Sequence, residues 1–130
     1  MELVEYELNG LQELSNALKF NTELIELNLA KNNINQLGYI NISEALKDNR
    51  ELQTLSISMN NTFELLDIFC KALKHHQKLN LLRIDFQMPE DQMYEEITSQ
   101  KVCEPLKDLL AINKSLRKVI IDERLLSYEQ

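Results

Sequence analysis

Four copies of one spacing run along this chain: an aliphatic pair, then Asn or His, then an apolar triplet at fixed distances. The copies are Ala17, Leu18, Asn21, Leu24, Leu27, Leu29; then Ala45, Leu46, Asn49, Leu52, Leu55, Ile57; then Ala72, Leu73, His76, Leu79, Leu82, Ile84; and last Leu109, Leu110, Asn113, Leu116, Val119, Ile121. The triplets begin at Leu24, Leu52, Leu79 and Leu116, so successive copies stand 28, 27 and 37 residues apart. A period of this size belongs to architectures that stack one small unit on the next, because no unit buries its apolar side alone. Solenoids of this kind act through extended surfaces, which directs attention to a face before a pocket.

The stretch from Leu24 to Asn49 shows how each unit reads. Leu27 and Leu29 are two apart and point to one side of a strand, which sends Glu26, Asn28 and Ala30 to the other. Lys31-Asn32-Asn33 follows as a turn, where an asparagine side chain satisfies backbone groups. Ile34, Gly38, Ile42 and Leu46, each four apart, form one stripe of a helix. Gly38 suits a close approach of backbones or a turn, and Asn49 suits a left-handed position after the helix.

The run Leu24-x-x-Leu27-x-Leu29-x-x-Asn32-x-Ile34-x-x-x-Gly38-x-x-x-Ile42-x-x-x-Leu46-x-x-Asn49-x-x-Leu52 resembles the leucine-rich repeat of the ribonuclease-inhibitor-like class. Asn60 repeats Asn32, whereas Gln87 and Arg124 stand there in the later copies. The resemblance extends over residues 3–124 and implies a right-handed α/β solenoid, with a curved parallel sheet of about five strands on the concave side and helices on the convex side. One domain over residues 1–130 is expected, which also fits a piece of a longer array. Leu3, Tyr6 and Leu8 repeat the strand spacing as a truncated first copy, followed by a short helical stripe of Leu11, Leu14 and Leu18; Leu125, Leu126 and Tyr128 would cover the last strand.

Charge narrows the partners. The net charge is −7, with nine acidic and four basic groups in the first 60 residues. That balance argues against nucleic acid, whose phosphates demand a positive face, and against an anionic membrane surface. No apolar run approaches a membrane span, and the acidic start Met1-Glu2-Leu3-Val4-Glu5 is unlike a secretory signal. Cys70 and Cys103 lie in no metal or redox motif and read as free thiols of a reducing compartment. The richness in Asn, Lys and Ile suits an AT-rich genome, so a cytoplasmic location is expected, in the source cell or in a host cell for a secreted effector.

The long third step holds an insertion near 88–99, where Met88, Met93 and Tyr94 stand among Glu90, Asp91, Glu95 and Glu96. It reads as a solvated loop, with a mixed apolar and acidic contact patch as the other reading. Pro105 is expected to start a helix carrying Leu106, Leu109 and Leu110. His75 and His76 are adjacent, so on a helix they diverge by about 100°. His76 fills the slot of Asn21, Asn49 and Asn113 and reads as a cap rather than a metal ligand. Cys70 shares a helical face with Leu66, Phe69 and Leu73 and reads as core. No catalytic residue, metal site or cofactor is expected.

The candidate binding surface is the outward face of the strands. Its first column is Glu5, Glu26, Thr54, Leu81, Lys118; its second is Glu7, Asn28, Ser56, Arg83, Ile120; its third is Asn9, Ala30, Ser58, Asp85, Asp122. Leu81, Phe86 and Ile120 beside Arg83 make an apolar and arginine cluster of the kind found at interface centres. The expected function is therefore a non-enzymatic module that binds another protein through the concave sheet, as a monomer or with weak self-association. The resemblance also admits a regulator of an enzyme such as a GTPase, acting through Lys31, Asn32, Asn33, Asn60 and Asn61. A structural piece whose open strand edges stack on other copies is the third reading.

Overall fold

The structure is a computed structural model that describes residues 2–32, 34–59, 64–86 and 100–121, with side chains for all of these except 2–10, 59, 64 and 101. The elements run α1 (Glu2–Phe20), β1 (Glu26–Asn28), α2 (Gln36–Asp48), β2 (Thr54–Met59), α3 (Glu64–Leu73), β3 (Leu81–Phe86), α4 (Gln100–Ile112) and β4 (Lys118–Ile121). The four strands form one sheet in sequential order, every pair parallel. Parallel neighbours need a crossover, and right-handed crossovers between strands in sequential order all fall on the same face. The helices accordingly pack in series, α1 on α2, α2 on α3 and α3 on α4.

Strand alternation and the helical stripes meet in one core. Leu55, Ile57, Leu82 and Ile84 from the strands are fully buried with Ile42 and Leu46 of α2, Leu66, Phe69 and Leu73 of α3, and Val102 and Leu109 of α4. The Tyr39 and Phe69 rings meet edge to face at 5.6 Å, joining α2 to α3. Gly38 is there because α1 crosses closely: a Cβ on it would lie 2.5 Å from Leu11 Cδ1.

The Asn/His slot ties each helix end to the strand that follows. Asn21 Oδ1 accepts from the backbone N–H of Glu23 and Leu24, Asn49 Oδ1 from Glu51 and Leu52, His76 Nδ1 from Lys78 and Leu79, and Asn113 Oδ1 from Ser115 and Leu116. The other end of the amide reaches the preceding unit. Asn49 Nδ2 donates to the carbonyls of Leu18 and Asn21, and Asn113 Nδ2 to those of Leu73 and His76. Just beyond, the carbonyls of Ile25, Gln53 and Asn80 each accept two consecutive N–H groups of the next unit. The register is thus set before the ladder proper begins.

Several expectations give way. Residues 2–20 are one helix, so Leu3, Tyr6 and Leu8 make no fifth strand and Glu5 and Glu7 do not continue the sheet columns. Leu11, Ser15 and Leu18 bury the inner side of that helix while Leu14 is more than a third exposed, the i, i+4, i+7 pattern of a packed helix. A helix can stack on α2 through that stripe, whereas the three-residue β1 offers little ladder for another strand. Asn49 is extended (φ −71°, ψ 126°), since its side chain rather than a left-handed backbone satisfies the turn. The one non-glycine residue with positive φ among those described is Lys31 (φ 62°), whose N–H is held by Ser58 Oγ at 2.8 Å. Pro105 lies inside α4, five residues after its start, and Leu110 points outward; Val102, Leu106 and Leu109 form the buried stripe. The 88–99 insertion, Asn33, Asn60, Asn61 and the segment holding Leu125, Leu126 and Tyr128 lie outside the described residues.

Two outcomes follow from the helix-end slot. Asn113→Ala takes one donor each from the Leu73 and His76 carbonyls, which keep the His76 N–H and Ser115 Oγ, and leaves two turn N–H groups without their acceptor; it costs about 2 kcal/mol in urea unfolding, against about 1 kcal/mol for Asn21→Ala, whose exposed turn water can serve. His76 is the weak member: its buried Nε2 reaches no partner with full hydrogen-bond geometry, and only the Asn49 carbonyl acts on it. Its Nδ1 must stay unprotonated to accept from Lys78 and Leu79. Burial, then the charge of Arg50, pulls its pKa below the usual 6.5, against the raising effect of the Asn49 carbonyl and Glu51. The folded state therefore binds this proton less tightly than the unfolded chain. The contribution is complete above pH 6.5 and fades as pH falls from there through the lowered folded value. His76→Asn is expected to unfold at an equal or higher temperature at neutral pH, with an advantage that widens towards pH 5 in thermal melts; an advantage independent of pH would contradict this account.

Candidate binding face

The face turned away from the helices is built by strand alternation alone. Register pairs Glu26 with Thr54, Thr54 with Leu81, and Leu81 with Lys118 in one row; Asn28, Ser56, Arg83 and Ile120 form the next, and Ser58 with Asp85 begins a third. These are the expected columns from β1 onward. Adjacent members stand about 4.8 Å apart across the sheet, so the rows bring residues nearly a hundred positions apart in sequence into one surface.

Exposure varies across the face. Glu26, Asn28 and Lys118 are exposed, and Thr54, Leu81, Arg83, Asp85 and Ile120 are half-buried. Ser56 and Ser58 are only 3% exposed although they point outward. Ser56 is short and stands between the longer Asn28 and Arg83 in register, and Ser58 lies beside Asp85 with its Oγ accepting from the Lys31 N–H, so β2 is the floor of a trough. Glu26 and Asn28 form one wall, and Leu81, Arg83 and Asp85 the other. Asn28 also accepts from the Ala30 N–H at 3.0 Å, which commits part of its amide to its own turn.

Phe86 does not belong to this face. It shares the parity of Leu82 and Ile84, is 2% exposed and joins the core. Counting by twos from Leu81 reaches Asp85 and misses Phe86, so the alternation that placed the other residues also excludes this one. Ser56 stays on the face but contributes its floor, with little surface to offer. Asp122 and the insertion lie outside the described residues, and Glu5 and Glu7 belong to α1.

The residues considered for chemistry fall elsewhere. Cys70 is buried in the core, and burial first, then Asp67 and Asp108, pushes its thiol pKa up to about 12. Cys103 is exposed on α4. His76 serves backbone groups and His75 is exposed beside it. Among the described residues no group of His, Cys, Asp or Glu is arranged to hold a metal ion, and no helix is long and apolar enough to cross a membrane.

No protein-family model matches the chain, and no curated protein matches it. Among solved structures the fold is similar to that of leiomodin-1 actin-binding site 2, with a TM-score of 0.69 and 22% sequence identity over 93% of this chain. The chain spans 66% of the length of that structure. At this identity the likeness is one of fold: strands and helices in a comparable arrangement around a parallel sheet.

The two thiols should behave differently. Titration of the native protein with a disulfide reagent is expected to modify Cys103 promptly and Cys70 only after denaturant is added. Equal reactivity would mean that the α3 core opens readily.

Proposed function

We propose that this chain is a non-enzymatic protein-interaction module of the leucine-rich-repeat type, a short right-handed solenoid that receives a partner protein on its concave, helix-free sheet face. The supporting observation is the face itself. Parallel register sets acidic and amide groups (Glu26, Asn28), a serine floor and a Leu81–Arg83–Ile120 cluster side by side on one backbone frame. Apolar and arginine side chains grouped in this way are typical of interface centres. A surface held by a sheet needs little ordering on binding, so more of the contact energy appears as affinity. The module acts by binding, without cofactor or metal, in the cytoplasm.

Actin is the first partner to test, because one solved structure with a similar fold is an actin-binding site. The experiment compares the wild-type chain with the double variant Leu81→Ser, Arg83→Glu for binding to purified actin, monomeric and filamentous, with circular dichroism as the control for folding. Wild type is expected to bind and the variant to lose at least about tenfold with an unchanged spectrum. A folded variant that binds as well as wild type removes the sheet face as the site. Wild type that ignores actin, yet captures another protein in a manner dependent on Leu81 and Arg83, removes actin and keeps the face.

A further inference from the structure

Charge on this chain is unevenly placed. The net charge is −7, yet at the edge where helices end and strands begin, two adjoining clefts are lined by positive side chains. The first, about 340 Å³, opens between the ends of α2 and α3, and its cations are Lys47, Arg50 and Lys71. The second, about 440 Å³, opens between the ends of α3 and α4, and its cations are Lys74 and Lys114. No Asp or Glu lines either cleft. His75 and His76 belong to both, forming the wall between them.

This charge exceeds what the helix ends call for. Lys47 and Lys71 sit in the last turns of α2 and α3, where a cation offsets the helix dipole. Each is also bound to a carboxylate about one turn earlier, Glu44 and Asp67, both at 2.9 Å. Glu51, just after Arg50, is held instead by Lys78 at 2.7 Å. Arg50, Lys74 and Lys114 make no ion pair with any described residue. Like charges left together repel one another, so the arrangement is unfavourable for folding alone and favourable for an incoming anion. Ile112, 41% exposed, adds an apolar patch to the second cleft.

We propose that this edge is a second docking site, separate from the sheet face, for an acidic protein segment whose carboxylates enter the two clefts and whose apolar side chain rests on Ile112. Two features favour a polypeptide over nucleic acid. Exposed Ile112 beside the second cleft offers an apolar rest that a side chain fills and a phosphate backbone does not. Two separate clefts of small-molecule size suit individual side chains rather than a continuous phosphate backbone. The two clefts and the sheet rows share no residue, so either site can fail without the other.

The test is fluorescence anisotropy with a fluorescein-labelled peptide of Glu, Asp and Leu, beside the same peptide with Gln and Asn in place of the acids. The acidic peptide is expected to bind, more weakly as salt rises. The triple variant Arg50→Glu, Lys74→Glu, Lys114→Glu should weaken it by at least about tenfold, while the Leu81→Ser, Arg83→Glu variant binds it as wild type does. If charge reversal disturbs folding, the triple Gln variant at the same positions carries the test. Three results would overturn the proposal: a neutral peptide that binds equally well, a folded triple variant that binds as wild type does, or an oligothymidylate or inorganic phosphate that displaces the acidic peptide more readily than the unlabelled peptide itself.

Discussion

Everything in this fold depends on how a helix ends. A parallel sheet forces the chain to reverse direction after every helix, and each reversal exposes helix carbonyls and turn N–H groups that the next unit would bury. One carboxamide answers both needs. At Asn49 and Asn113 the oxygen receives two N–H groups of the turn and the nitrogen donates to two carbonyls of the unit before. A side chain with both an acceptor and two donors is needed, and few residue types qualify. Unsatisfied groups at that depth would each cost about 1–3 kcal/mol, enough to separate the units. Histidine at position 76 keeps the acceptor half, but its Nε2 has one proton at most and meets no carbonyl at full hydrogen-bond geometry. The bridge from the third unit to the second therefore rests more heavily on apolar contact, with Tyr39 against Phe69 at its centre.

The same geometry separates the surfaces. Helices cover one face of the sheet, so strand residues of one parity enter the core and those of the other parity are left for partners. The edge where helices end is a third surface, and it carries a different charge from the rest. The acidic groups of the first 60 residues include Glu26 on the sheet, while Arg50, Lys74 and Lys114 gather where the second, third and fourth units turn. Exposed pairs such as Lys47 with Glu44 or Lys71 with Asp67 contribute little to stability. Their effect is on which cations remain uncompensated. A chain with an overall negative charge can therefore present a positive edge, and net charge is a poor guide to any single surface.

The departures from sequence reading share one cause. Local spacing near the amino terminus admits either a strand (Tyr6, Leu8) or a helix (Leu11, Ser15, Leu18), and packing against α2 selects the helix for the whole of residues 2–20. Pro105 resembles a helix start because proline is tolerated in the first turn. Here α4 begins five residues earlier and carries Val102 into the core. In both cases the choice rests on burial against a neighbour distant in the chain.

The sequence by itself determined the units, their order and their inward residues, because a repeated Leu-x-x-Leu-x-Leu followed by a four-residue stripe has one way to bury all its leucines. It also determined the rows of the outward face from β1 onward, since equal spacing from the slot residue puts Glu26, Thr54, Leu81 and Lys118 level. Alternation from Leu81 also turns Phe86 inward, with Leu82 and Ile84. Tertiary structure decided what those rows are worth: that Ser56 is a floor, and that the first segment stacks as a helix. It alone also made the two cationic clefts, whose side chains come from turns 27 and 37 residues apart. Spacing within one unit reports which way a side chain points; how deep it lies, and beside which charge, is set by the unit packed next to it.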